Sequence, residues 1–423
     1  MIGKCYKKNK FWLAILGFSF VLFWNNFTGA TSNINTTMLS FTYKYGFISR
    51  GLLGTIYEAI NALLPWDLHT YGWALIFFEA SFLLFVIVLC IFCNSILKRV
   101  NKDNKQDVQI LIILIFMISI PMFSSKYNLG RIDMYCLMCS LICMYLLTIK
   151  KMEWLVIPIS AIGVMFHQGH VFMFMGMVLA MVIYNMFSEI KDSEGEIVKN
   201  IVHNKSAKRY LILFIFTFAI VSILFIWFEG FSRINGEGIV DEIIKTASLM
   251  GPEHDYHEDV VAHEILGQDL SKIEWEYHKK NMIEFPIYCL LVMPYIVMAI
   301  KFFRRLIKTA QGKINKLRYS VIIFGIVTIL PDMILKVDFG RWIYCILIYY
   351  LVVMATMYAV GDKHFVETFN DFVLRIKEKC SFAVIFLIYP LMFQPHMHIA
   401  ISPITDRLAR LINVYINLWV PWD

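Results

Sequence analysis

The chain has 423 residues, of which 59% are hydrophobic and only 17% charged, with a mean hydropathy of +0.63 and a formal net charge of +7. That balance excludes a soluble globular domain of this length. Apolar stretches of about 18 or more residues recur, each long enough to cross a hydrocarbon core of about 30 Å. The expectation is therefore an all-α polytopic membrane protein built as one integral domain over 1–423, with no soluble second domain and no nucleic-acid partner.

Hydropathy predicts eleven spans, over 11–28, 71–97, 108–124, 132–149, 153–167, 170–187, 210–228, 285–303, 319–335, 342–360 and 381–399. The first follows Lys4, Lys7, Lys8 and Lys10, as a signal peptide would. It lacks a small-residue cleavage site and its apolar run is long, so it reads as a retained helix. The fifth is short and ends at "FHQGH", which suggests tilt or a break. With the N-terminus in the cytoplasm, the inner segments hold 26 of the 39 Lys and Arg and the outer ones 13. The positive-inside rule thus predicts N-in and C-out.

Between the spans, 29–70 forms the first external loop, and its residues 51–64 are amphipathic enough to lie in the interface or re-enter. The cysteines Cys136, Cys139 and Cys143 fall in a span without His, so buried inert thiols are expected there and no metal. The external loop 229–284 carries 13 of the 32 acids. Its "EHDYHED" has divalent-cation donors, yet a solvated acidic loop is the simpler expectation, with a helix over 271–282. Residues 402–423 pattern as an external amphipathic helix, capped by Ser402 and ending in Trp419 and Trp422, which suit an interface. Glu79 is the main charged residue deep within a span.

The unusual residues gather on the outward face. Arg50, Arg131 and Arg341 all fall there, each beside a glycine, in "SRGLLG", "LGRID" and "FGRWI". A membrane-edge arginine needs a partner or water. A guanidinium stays charged and grips phosphate oxygens with two prongs. Snorkelling to headgroups, or pairing with Asp133, Asp338 or Glu58, is the alternative. "GRIDMYC" and "GRWIYC" also read as a short internal repeat, each at an outer hairpin. In "MFHQGHVF", His167 and His170 suit hydrogen bonding or proton transfer near neutral pH. Their i, i+3 spacing also permits a metal, although no HExxH accompanies them. Walker, dinucleotide and nucleophile-elbow motifs do not occur.

The stretch "NLGRIDMYCLMCSLICMYLLTIKKMEWLVIPISAIGVMFHQGHVFMF" opens a span with Arg131, makes a basic turn and ends the next span in Phe166-His167. It resembles the bacterial O-antigen and exopolysaccharide repeat-unit polymerases of the Wzy type, especially the EpsG-like branch. Architecturally the resemblance covers about 108–360. At motif level it rests on Arg131, His167 and more loosely Arg341. The family's usual small residue after Phe-His is replaced by Gln168-Gly169-His170.

The resemblance implies a metal-independent, cofactor-free membrane glycosyltransferase at the outer face of the bacterial cytoplasmic membrane. It would polymerise polyprenyl-diphosphate-linked oligosaccharide for O-antigen, capsule or exopolysaccharide, among membrane lipids and alongside a flippase and a chain-length regulator. Arg131 and Arg341, with Arg50 next, would bind the diphosphate. His167 or His170, and after them Asp338 or Asp133, would be the base. Two other functions compete. Another polyprenyl-linked-sugar glycosyltransferase would carry an acid in its first external loop, where only Glu58 and Asp67 occur. A transporter or flippase of lipid-linked sugar would need charges through the depth of the membrane, whereas here they gather at the outer rim.

Overall fold

The structure is a computed structural model, and it describes residues 2–27, 30–101, 104–125, 128–190, 197–232, 237–251, 284–335, 339–377, 393–394 and 400–401. In hydrocarbon every backbone N–H and C=O must bond within its own segment, so long apolar runs fold as helices. The helices are α1 (Ile2–Asn26), α2 (Asn33–Met38), α3 (Gly51–Leu63), α4 (Tyr71–Arg99), α5 (Lys105–Ser124) and α6 (Ile132–Ile149). Next come α7 (Val156–Phe166), α8 (His170–Met173), α9 (Met175–Ser188), α10 (Ile197–His203), α11 (Lys205–Gly230) and α12 (Glu237–Met250). The last are α13 (Glu284–Thr309), α14 (Lys313–Phe324), α15 (Leu330–Leu335), α16 (Phe339–Val360) and α17 (Lys363–Lys377).

Among the described residues six segments are long and apolar enough to cross a membrane: Tyr71–Arg99, Lys105–Ser124, Ile132–Ile149, Lys205–Gly230, Lys313–Met333 and Gly340–Val360. That is the make-up of a multi-pass membrane protein. The expected spans 153–167 and 170–187 fall on shorter pieces, because the chain breaks at His167 and again at Phe174. The expected span 319–335 is also discontinuous: a 3-10 turn over Gly325–Ile329 separates α14 from α15. The turn frees carbonyls that side chains then satisfy, with Tyr349 donating to the Ile322 oxygen at 2.6 Å and Tyr350 to the Ile323 oxygen at 3.3 Å. The eleventh expected span lies outside the described residues except at Phe393–Gln394, which pair antiparallel with Ala400–Ile401. The expected helices over 271–282 and 402–423 also lie outside them.

Hydrogen bonds sort the connecting segments into two ends. At one end Glu153 accepts from Arg209 at 3.0 Å and Tyr210 at 3.1 Å, and Lys150 meets Glu189 at 3.1 Å. There too Asp362 caps α17 through the Phe365 N–H and gathers Arg318 at 2.7 Å, Tyr319 at 2.9 Å and Tyr184. The opposite end is covered by the segment 30–70. Thr31 and Asn35 both donate to the Leu129 carbonyl, at 2.7 and 2.8 Å. Trp227 donates to the Phe47 carbonyl at 3.1 Å. Lys44 pairs with Glu242 at 2.9 Å, and that ammonium holds the exposed Glu242 carboxyl below its usual value. Helix α3 is amphipathic. It buries Leu53, Gly54 and Tyr57 and leaves Ile56, Ile60 and Leu63 exposed, the pattern of a helix lying along a surface.

The two helix breaks touch. Thr328 donates to the Phe172 carbonyl at 3.2 Å, and Gly176 lies flat against the Gly325 carbonyl. A Cβ on Gly176 would run into that oxygen and the Thr328 hydroxyl, whereas a Cβ on Gly72 meets nothing. Gly176→Ala is therefore expected to destabilise the fold by about 1–3 kcal/mol, read as a lower unfolding midpoint in detergent. Gly72→Ala should leave the midpoint unchanged or raise it, and equal losses in the two variants would contradict the close approach.

Candidate functional site

The site at the end covered by the segment 30–70 is built on two helix starts. Gly130 has φ +85°, a conformation L side chains avoid, and the Phe78 ring fills the space where a Cβ would project. This turn delivers Arg131 as the cap residue of α6 and places Asp133 in its first turn, where the helix dipole favours a carboxylate. Arg341 sits in the first turn of α16. Its Nε donates to Asp133 Oδ2 at 2.8 Å and its Nη2 to Oδ1 at 2.7 Å, a forked pair. Arg131 Nε lies 3.1 Å from the same Oδ2, and its Nη1 donates to Asn128 Oδ1 at 3.2 Å. The Arg341 guanidinium also stands 4.9 Å from the Trp342 ring centroid. All three charged side chains are buried or nearly so, at 5% exposure for Asp133, 10% for Arg341 and 14% for Arg131.

The third arginine arrives by a strained route. Arg50 caps α3 with φ 62°, in the left-handed region. Such a backbone costs a non-glycine residue about 1–2 kcal/mol. Neighbouring Ser49 bonds through its hydroxyl to Gln168 and through its N–H to Ser232 Oγ at 3.4 Å. The 46–50 turn is thereby fastened to the turn that carries His167. The His167 ring lies within electrostatic reach of Arg50, Asp133 and Arg341. Arg131, Asp133 and Arg341 thus form one ion-paired group, and His167 stands in electrostatic reach of it and of Arg50.

His170 is placed differently. It is fully buried, with its ring against the Gly163 backbone and 6.3 Å from the Phe174 ring. Neither of its nitrogens has a hydrogen-bond partner among the described residues. His170 is therefore a packing residue of the α7–α8 turn. Asp133, named above as a candidate base, has guanidinium donors on both oxygens and serves to hold the arginines. Asp338, the other carboxylate candidate, lies outside the described residues. Glu58 pairs with no arginine among the described residues; it binds His69 Nε2 at 2.8 Å, while Asp67 binds the Nδ1 of the same ring at 2.7 Å.

Some participants escaped the sequence reading. Gln168, Ser49 and Asn128 hold the group in place, and Asn128 was visible only as part of "YNLGRID". Asp332 is buried in the first turn of α15 and shares the electrostatic surroundings of Cys345 with Asp133, Arg341 and Arg131. A lone Asp inside an apolar run was its only signal. Glu79 has no ion pair among the described residues. Among them, no group of three His, Cys, Asp or Glu side chains is placed to hold a metal ion. Chemically, the site offers several guanidinium donors and an imidazole at the mouth of an apolar bundle, a setting suited to a polyvalent anion. The chain matches no protein-family model, no curated protein and no solved structure.

Removing Asp133 should expose what it does. Asp133→Ala leaves two guanidinium groups in a desolvated site without their carboxylate, an expected loss of about 3–5 kcal/mol. Thermal unfolding in detergent measures this, with Lys44→Met, at a half-exposed pair, as the control expected to change little. A small shift for Asp133→Ala would show that water, not the carboxylate, compensates the arginines.

Proposed function

We propose that the chain is a membrane glycosyltransferase that polymerises polyprenyl-diphosphate-linked oligosaccharide at the outer face of the bacterial cytoplasmic membrane. The observation that carries this reading is the ion-paired group Arg131–Asp133–Arg341, drawn from two distant segments, with His167 in electrostatic reach of Asp133, Arg341 and Arg50. Eleven spans with the N-terminus inside and the C-terminus outside put that group on the outer surface. The prenyl chain of the donor lies among the apolar helices, and its diphosphate reaches the guanidinium groups.

In the reaction an acceptor hydroxyl oxygen bonds to the anomeric carbon of the donor. The bond from that carbon to the diphosphate oxygen breaks, and the electron pair leaves with the diphosphate. Charge therefore grows on the departing oxygens, where fixed guanidinium donors stabilise the transition state. The hydroxyl proton is released. Each cycle yields a longer lipid-linked glycan and one free polyprenyl diphosphate. A flippase that supplies lipid-linked repeat units and a chain-length regulator are the fitting partners.

Reconstituted protein given lipid-linked repeat units should form a ladder of longer glycans. Arg131→Lys and Arg341→Lys keep the charge and lose the fork, and each should slow ladder formation about 100-fold or more, the usual effect of removing a preorganised donor. Full activity in both variants would reject the diphosphate clamp. Lipid crossing the bilayer with no ladder would point to a flippase instead.

A further inference from the structure

We infer that His167 acts as a hydrogen-bond donor to the substrate anion through Nε2–H, and that it is not the base of the reaction. This inference rests on the reading of the site as a diphosphate site, and it assigns the imidazole the opposite role from proton acceptance.

The geometry fixes the tautomer. The Gly169 backbone N–H donates to His167 Nδ1 at 3.1 Å. A backbone N–H can only donate, so the Nδ1 lone pair is engaged and the neutral ring carries its proton on Nε2. The Gln168 amide oxygen stands 3.2 Å from the same Nδ1 and also bonds Ser49. An amide's two ends are interchangeable in such a network. Turning the NH2 toward the ring gives Nδ1 a second donor and lets the Ser49 hydroxyl accept from that same NH2. Among the described residues every hydrogen bond of this ring falls on Nδ1. Nε2, on the other side of Cε1 from Nδ1, makes none of them.

Gly169 is part of the device. A Cβ there would stand 3.1 Å from His167 Cε1 and 3.2 Å from Nε2, close enough to push the ring aside. Arg50, Asp133 and Arg341 lie within electrostatic reach of the ring. Both Asp133 oxygens are covered by guanidinium groups. The assembled site therefore presents donors, suited to phosphate oxygens, and His167 adds one more.

Catalysis then runs by drawing charge onto the leaving group. As the anomeric carbon–diphosphate bond breaks, the carbon takes on oxocarbenium character. The hydroxyl that bonds to it becomes strongly acidic and gives its proton to water. No side chain needs to remove that proton beforehand.

The test compares the wild-type chain with His167→Gln and His167→Ala, full length and in detergent or liposomes. A glutamine amide N–H reaches about where Nε2–H sits, cannot act as a base, and should keep the ladder rate within about 10-fold, whereas alanine should lose about 100-fold, the cost of one missing donor. Calorimetry with inorganic pyrophosphate should show His167→Gln binding about as tightly as wild type and His167→Ala about 10-fold more weakly, a difference of about 1.4 kcal/mol. A glutamine variant as inactive as alanine, with a wild-type rate that climbs through the imidazole range, would overturn the assignment. Equal pyrophosphate affinity in all three proteins, or no binding by wild type, would overturn it as well. If wild type forms no ladder yet the three affinities rank as stated, the donor role stands and the glycosyl-transfer reading fails.

Discussion

One carboxylate organises one end of this bundle. Asp133 takes a forked bond from Arg341 and a further ion pair from Arg131, which ties the start of α6 to the start of α16 across more than two hundred residues of sequence. Three charges in a desolvated setting are held only if their geometry is good, because the loss of hydration otherwise outweighs the attraction. The fork keeps the two guanidinium groups fixed relative to one another at the starts of the two helices.

The breaks in the helices serve the same end of the molecule. The chain interrupts α7 at His167 and resumes at His170, and it interrupts α14 at Gly325. Irregular backbone inside a bundle needs partners, and here they are the Tyr349 and Tyr350 hydroxyls and Thr328. The close approach of Gly176 to Gly325 packs the two interrupted segments together. The first break places an imidazole beside the arginines, and the second sets Asp332 nearby. The opposite end is tied by networks such as Arg318–Asp362–Tyr319.

Much of this was legible in the residue order, and the reasons for the rest are physical. Long apolar runs between basic turns locate most helices, because length and hydropathy are what a bilayer selects. Alternation of those runs brings Arg50, Arg131 and Arg341 to one side without any knowledge of contacts. The sharing of Asp133 is a tertiary fact: nothing in "GRID" says that a distant arginine takes both oxygens. The discontinuity in "VIIFGIVTILPDMIL" was masked by uniform apolarity, since it depends on tyrosine donors from another helix. "FHQGH" offers two histidines that look alike, and only the fold turns one toward the arginines and the other against Gly163.

Arg50 carries a tension of its own. Its left-handed backbone is one that glycine or asparagine would adopt with less strain, so the chain there is conformationally worse than it needs to be. Mutational drift toward sturdier folds would favour relaxing that residue, and in doing so would strip a positive charge from this end of the bundle. Backbone comfort and the local charge thus pull the same codon in opposite directions. A lineage that keeps arginine at this bend is one in which the charge matters more than the comfort of the chain.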